Sequence, residues 1–269
     1  MSVASPPRAV GDLLRQWRHQ RRMSQLGLAV EADVSARHLS FVETGRSHPS
    51  RELVLHLADH LDVPLRDRNT LLMAAGFAPT YPETPLDAEE MTPVRDALDK
   101  ILGSHLPFPA VVVDRHWNLV AANDTARAVL TDGVAPDLVG PHVNTLRVCL
   151  HPDGLAPRIV NLAEYSAHLI ERLDRLAAAS ADPELLSLRD ELLRYPGVSA
   201  GHAGGSDTAS RLFVPLVLRS DDGELTFFST IATFGTAHDI TVAELAIEAF
   251  FPADDATGAA LRGFGELRR

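Results

Sequence analysis

Apolar residues recur at helical spacing through the first eighty positions, and each run begins or ends on a residue that caps or breaks a helix. Leu13, Leu14 and Trp17 predict a first helix over about 11–22, with Arg15, Arg18, Arg21 and Arg22 crowding the side turned to solvent or phosphate. Ser24-Gln25, Leu28-Ala29, Val34-Ser35, Leu39, Val42 and Glu43-Thr44-Gly45-Arg46 then spell two short helices joined by a tight turn at Asp33-Val34. The Ser24 and Ser35 hydroxyls can each accept from an unpaired amide of the turn that follows. Pro49-Ser50 opens a helix carrying Leu53, Leu55, Leu57, Ala58 and Leu61, and Pro64 opens another carrying Leu65, Leu71, Leu72 and Ala75 before Gly76. Five short helices result, enough to enclose the central pair in an all-helical domain over residues 8–79.

From 76 to 95 the periodicity stops. Pro79, Pro82 and Pro85 with the acidic run Asp87 to Glu90 make an extended, stiff connector. Beyond it the pattern mixes strand and helix. Pro109 to Asp114 and Trp117 to Ala121 read as strands around an Arg115-His116 turn, and Asn123-Asp124 caps a helix with Ala126, Val129 and Leu130. Residues 159–194 read as helix, with apolar stripes Leu162, Tyr165, Leu169, Leu173, Leu176 and Leu185, Leu188, Leu192, Leu193. Leu212 to Leu218 and Leu225 to Ile231 flank Asp221-Asp222-Gly223, a hairpin signal, and Gly201 to Gly205 reads as a loop. Thr241 is expected to cap a last long helix through Leu245, Ala246, Ile247 and Phe250. The expected fold class is α+β, with residues 91–269 forming an antiparallel sheet with helices against it, able to enclose a cavity.

Composition narrows the function. With 269 residues, 45% of them hydrophobic, the chain can bury two cores. The formal charge of −11 is unevenly spread, for residues 1–51 carry eight Arg against four acids. A basic head on an acidic body favours a localised DNA contact over indiscriminate wrapping. Cys149 is the only cysteine, which excludes an intrachain disulfide and a cysteine metal cluster. The first ten residues lack a signal core and no stretch is apolar enough to span a bilayer, so a cytoplasmic protein without membrane insertion is expected. There is no His-Glu-x-x-His pair, phosphate-cradling loop or nucleophile elbow, so neither an enzyme nor a bound metal or cofactor is expected.

The second helix of the central pair presents Ser35, Arg37, His38 and Ser40 on a mostly polar surface. Arg37 can fork to guanine O6 and N7 or bind a phosphate. Arg46 and Ser47 lie in the following loop, placed to clamp phosphate, while Glu43 has a structural role near the helix end. This segment resembles the phage-repressor (XRE, Cro/C1-type) helix-turn-helix domain. The resemblance implies a backbone contact from Gln25 and base-edge readout from Ser35, Arg37 and His38, with Ser40 nearby. Asp33 stands where that family usually has a turn Gly, and Gly27 lies inside a helix at a cost of up to about 1 kcal/mol.

Residues 83–257 are similar to the MmyB-like regulator ligand-binding domain, a PAS-like sensory fold. The carrying segments are Pro107-Phe108-Pro109-Ala110, Val113 to Asn118, Ala122-Asn123, His151 to Leu155, Tyr195-Pro196-Gly197, Thr230 to Thr236 and Glu244 to Pro252. That resemblance implies a transcription regulator responding to a small apolar ligand such as a fatty acid. Trp117 is the candidate lining residue, because an indole can line an apolar cavity while its N–H meets a headgroup. His151 and Arg158 are the candidate headgroup partners for a carboxylate. The expected assembly is a homodimer on double-stranded DNA. The competing reading makes the second domain a ligand-independent dimerisation or interaction module.

Overall fold

In a computed structural model, residues 9–180, 182–200, 213–221 and 223–266 are described. Leu212, Asp222 and the loop expected at Gly201 to Gly205 lie outside them. The chain divides into two compact units, Met1–Thr84 with Thr236–Ala243, and Pro85–Gly235 with Glu244–Arg269.

The first unit is helical: α1 (Val10–Gln20), α2 (Gln25–Glu31), α3 (Ala36–Glu43), α4 (Arg51–His60) and α5 (Leu65–Ala74). Its caps are the serines that the pattern marks. Ser24 Oγ accepts from the Gly27 amide at 2.9 Å, Ser35 Oγ from His38 at 3.4 Å and Ser50 Oγ from Leu53 at 3.2 Å. Asp33 makes the turn between α2 and α3 with φ 50°, so a short polar side chain does adopt the left-handed geometry there. Leu14, Leu28, Leu39, Leu57, Leu61 and Leu71 are fully buried in one core, each burial stabilising by about 1.5–3 kcal/mol.

Gly11 lets α1 and α3 touch: a Cβ there would overlap the carbonyls of Val42 and Glu43. Gly11→Ala is therefore expected to force the helices apart and cost about 1–3 kcal/mol, read as a lowered urea midpoint. An unchanged midpoint would show that the contact yields freely.

The second unit is built on a five-stranded antiparallel sheet with strand order β2-β1-β5-β4-β3. After α6 (Thr92–Ser104) come β1 (Ala110–Val113), β2 (Leu119–Ala122), α7 (Asp124–Thr131), α8 (Thr145–Leu150), α9 (Leu162–Ser180) and α10 (Pro183–Leu192). The chain then forms β3 (Leu216–Ser220), β4 (Gly223–Thr233), the one-turn α11 (Ile240–Ala243), β5 (Ala246–Pro252) and α12 (Asp255–Glu266). All four residues of β1 are buried because both sheet faces are covered. Ala110 and Val112 join Leu98 and Leu102 of α6, whereas Val111 and Val113 join the larger core with Leu169 and Leu173 of α9.

One expected element is wrong. Residues 246–252 are not a helix but the central strand β5, paired through Val111↔Glu248 with β1 and Ile231↔Glu248 with β4. Leu-Ala-Ile-Glu-Ala-Phe is a good helical string locally. Pairing on two edges and burial on two faces override that propensity.

Residues 236–243, which leave β4 and return into β5, belong to the first unit. The Ile240 amide donates to the Pro82 carbonyl at 2.8 Å, and the Thr84 hydroxyl donates to Asp239 Oδ2 at 2.7 Å. Buried Asn69 accepts from the Thr80 and Tyr81 amides at 2.8 and 3.1 Å and donates to the Tyr81 carbonyl at 2.7 Å. The connector is thus tied to α5 at Thr80 and Tyr81 and to residues 239–240 at Pro82 and Thr84.

Candidate functional site

In the first unit the exposed residues of α3 are Arg37 and His38, with Ser40 half-buried beside them. Arg37 is held over the Phe41 ring, its guanidinium carbon 5.4 Å from the centroid, so the side chain is partly pre-oriented while its N–H groups stay exposed. Ser35 is exposed at the α3 N-cap, and Arg46 is exposed just after Gly45, which turns the chain with φ 71°. Gln25 behaves differently. Its Nε2 donates inward to Glu43 Oε2 at 3.0 Å, leaving only its amide oxygen unengaged by that bond.

What fixes α3 is a network that the sequence pattern hides. Arg18, 6% exposed, sends Nε and Nη2 to the two oxygens of Glu43 at 2.7 and 2.8 Å and Nη1 to the Met23 carbonyl at 3.0 Å. Arg15 donates to the Glu43 carbonyl. Burial alone would push the Glu43 carboxyl up, but the Arg18 fork, Gln25 and Arg15 outweigh it and hold the carboxyl below its usual range. α1, α2 and α3 are locked around one carboxylate. The expectation that Arg18 meets solvent or phosphate is corrected accordingly: one turn from Leu14, it falls on the packed side of α1. Glu43 has a structural role near the helix end, as expected, and Arg18 is its main partner. Arg21 is likewise spent on the Leu61 and Asp62 carbonyls at 2.8 and 2.7 Å.

The second unit holds a partly open cavity of about 80 Å³ between the sheet and α7, α8 and α9. One water needs about 10–15 Å³ of such space, so several water-sized volumes fit; a long chain would require side chains to move. The walls are apolar, Val111, Val129, Leu146, Leu169, Leu218 and Phe227 among them, with Thr145, Cys149, Tyr165 and Glu248 as the polar exceptions. Glu248 is 7% exposed and accepts from Ser229 Oγ at 3.0 Å, while Arg172 Nη1 stands 3.5 Å from the same Oε1. Burial raises the Glu248 carboxyl, which Arg172 and Ser229 only partly offset. Burial also lifts the Cys149 thiol to about 12, and the Tyr165 phenol well above its ordinary value.

Trp117, His151 and Arg158 do not line this cavity. Trp117 is buried with φ 67° and carries the Arg172 guanidinium carbon 4.3 Å from its ring centroid, so it stands behind the polar end instead. His151 packs edge-on to Tyr195 at 4.9 Å and accepts from the Asp153 amide at 3.0 Å. Arg158 binds the Asp132 carboxylate at 3.0 Å and the Arg219 carbonyl at 3.2 Å, which keeps it at the surface. Among the described residues no three His, Cys, Asp or Glu side chains are grouped to hold a metal ion, and no helix is long and apolar enough to cross a membrane.

Comparison with known proteins matches residues 9–71 to a helix-turn-helix domain and residues 94–263 to the MmyB-like transcription regulator ligand binding domain. No curated protein matches the chain. The second match spans well over half of the sequence and coincides with the sheet unit that holds the cavity, while the first coincides with the helices that present Arg37. The chain therefore belongs to the MmyB-like transcription regulators, with a DNA-binding head and a ligand-binding domain.

Proposed function

We propose that this chain is a cytoplasmic, homodimeric regulator that binds a specific DNA sequence and whose DNA affinity is set by a small apolar ligand. The carrying observation is that one chain holds both a braced, exposed α3 surface and an apolar cavity with a sparse polar end. Residues 8–79 serve as the DNA-binding domain and 91–269 as the ligand domain. Ser35, Arg37 and His38 read base edges, with Ser40 nearby; Gln25, through its amide oxygen, and Arg46 meet the backbone. One short helix reads too few base pairs for an operator, which favours two inverted half-sites. Fatty acids are the ligand class that the family resemblance implies.

The route from ligand to head is covalent as well as connector-borne. The chain crosses between the two units at 84/85, 235/236 and 243/244. β4 and β5, which supply Phe227 and Glu248 to the cavity wall, run directly into 236–243. A ligand switches DNA affinity only if it binds one arrangement of those strands better than another.

Selection from random duplexes is expected to return a recurrent two-part inverted motif, and equal affinity for all duplexes at moderate salt would refute the regulator reading. Native mass spectrometry with denaturing extraction then tests for a bound apolar molecule. Operator affinity is expected to differ between the filled and emptied protein, and identical values would remove the switch.

A further inference from the structure

The cavity's polar end is not built like an anion site. Of the four polar residues in its wall, Thr145 already donates its hydroxyl to the Trp117 carbonyl at 3.1 Å. Tyr165 is 6% exposed and its hydroxyl has no hydrogen bond among the described residues. Glu248 takes both Ser229 and Arg172 on Oε1, and no hydrogen bond from the described residues reaches Oε2. A phenol and a carboxylate oxygen on the cavity wall therefore keep hydrogen-bonding capacity that no described residue takes up, open to a water or a ligand in the cavity.

The positive charge nearby is already committed. Arg172 does not line the cavity; it lies between Glu248 and the Trp117 ring. Drawing it toward an anionic ligand would leave Glu248 buried without its partner, which is strongly unfavourable. Cys149 offers only a neutral thiol, since burial lifts its pKa to about 12. The ionisable groups facing Glu248 are thus Arg172 and Tyr165 from α9 and Cys149 from α8.

We propose that Glu248 and Tyr165 select an uncharged amphiphile, one whose O–H donates to Glu248 and whose oxygen accepts from Tyr165, and that Glu248 rejects an ionised carboxylate. This rests on the reading of the second unit as a small-ligand sensor and narrows the ligand's chemistry. An aliphatic alcohol satisfies both groups at once. A fatty acid brings a second carboxyl group to the site, and because two carboxylates sharing one apolar site cannot both stay ionised, it binds only with uptake of a proton by one of the two. Arg172 and Trp117 are positioning residues that hold Glu248 in place.

The test compares 1-octanol with octanoate, equal in chain length and different in headgroup charge, by calorimetric titration of the full-length protein at pH 8. Octanol is expected to bind at least about ten-fold more tightly than octanoate, as like-charge repulsion in a desolvated site requires. Glu248→Gln keeps the shape and removes the charge, so octanoate should gain about ten-fold, drawn to the released Arg172, while octanol weakens. Octanoate binding to the unaltered protein as tightly as octanol overturns the proposal, and this comparison stands even where the variant does not fold. Neither probe binding at millimolar concentration would overturn the small-ligand reading itself, and the selection by Glu248 with it.

Discussion

Replacing Arg18 by Ala is expected to remove about 3–5 kcal/mol of stability from the head, because it strands a carboxylate in the core. Glu43 is 3% exposed and takes both arms of the Arg18 fork. Without them it keeps Gln25 at 3.0 Å and Arg15, whose Nε is 3.6 Å away and whose side chain is partly solvent-exposed. Small domains are stable by only about 5–15 kcal/mol in total, so the loss would remove from about a fifth to all of the head's stability. Chemical denaturation followed by Trp17 fluorescence, with the second unit's transition as internal control, reads the effect. Exchanging both partners for apolar residues of similar volume should cost much less than either single change. A loss under about 1 kcal/mol for Arg18→Ala would mean that the pair is effectively solvated. The same pair sets an acid limit. Glu43 has its folded pKa below the unfolded value, so its contribution is full above the unfolded carboxylate range near about pH 4.3. It is lost as pH falls through the lowered folded value. The head should therefore lose stability on acidification, and Glu43→Gln should flatten that dependence.

Local chemistry wrote the parts of this fold that are legible in the sequence. Ser24, Ser35, Ser50 and Asn123 cap the helices that follow them, and each cap depends only on residues within three positions. Apolar residues at helical spacing likewise identify the core of the head. Arg18 was opaque because it stands in a run of arginines and its partner lies 25 positions away. β5 was opaque because both of its faces are covered, which erases the alternation that marks a half-buried strand. The pocket failed for the same reason. Only in strand register does Glu248 stand opposite Val111 and come to face the cavity; read as a helical residue it is an ordinary surface acid. His151 and Arg158 looked suited to a headgroup by residue type, and their neighbours in space, Tyr195, Asp132 and Arg219, take them up instead.

Arg37→Ala is expected to weaken operator binding by about 1–3 kcal/mol for each half-site. On a two-fold operator bound by a dimer this amounts to about 2–6 kcal/mol, from roughly thirty-fold to more than ten thousand-fold in affinity. The side chain is exposed on the first turn of α3, rests on Phe41 and is engaged in no ion pair among the described residues. Its neighbours in the arginine-rich head are mostly spent: Arg18 on Glu43, Arg15 partly on the Glu43 carbonyl, Arg21 on the carbonyls of Leu61 and Asp62. Among the described residues of the helices and turns up to α4, Arg22, Arg37, Arg46 and Arg51 are the exposed arginines, Arg51 donating to Thr80 Oγ1 at 2.8 Å, so few side chains are expected to carry the DNA affinity. Binding measured on the selected operator and on base-substituted duplexes, each over a range of salt, separates the two roles open to Arg37. A base contact shows as loss on the operator with little change on unrelated DNA. A phosphate contact shows as an equal loss on every duplex, with the slope of log affinity against log salt falling by about 0.9 per protomer. No loss on any duplex would move the recognition surface off this face of α3, since no other exposed side chain there carries a fixed positive charge.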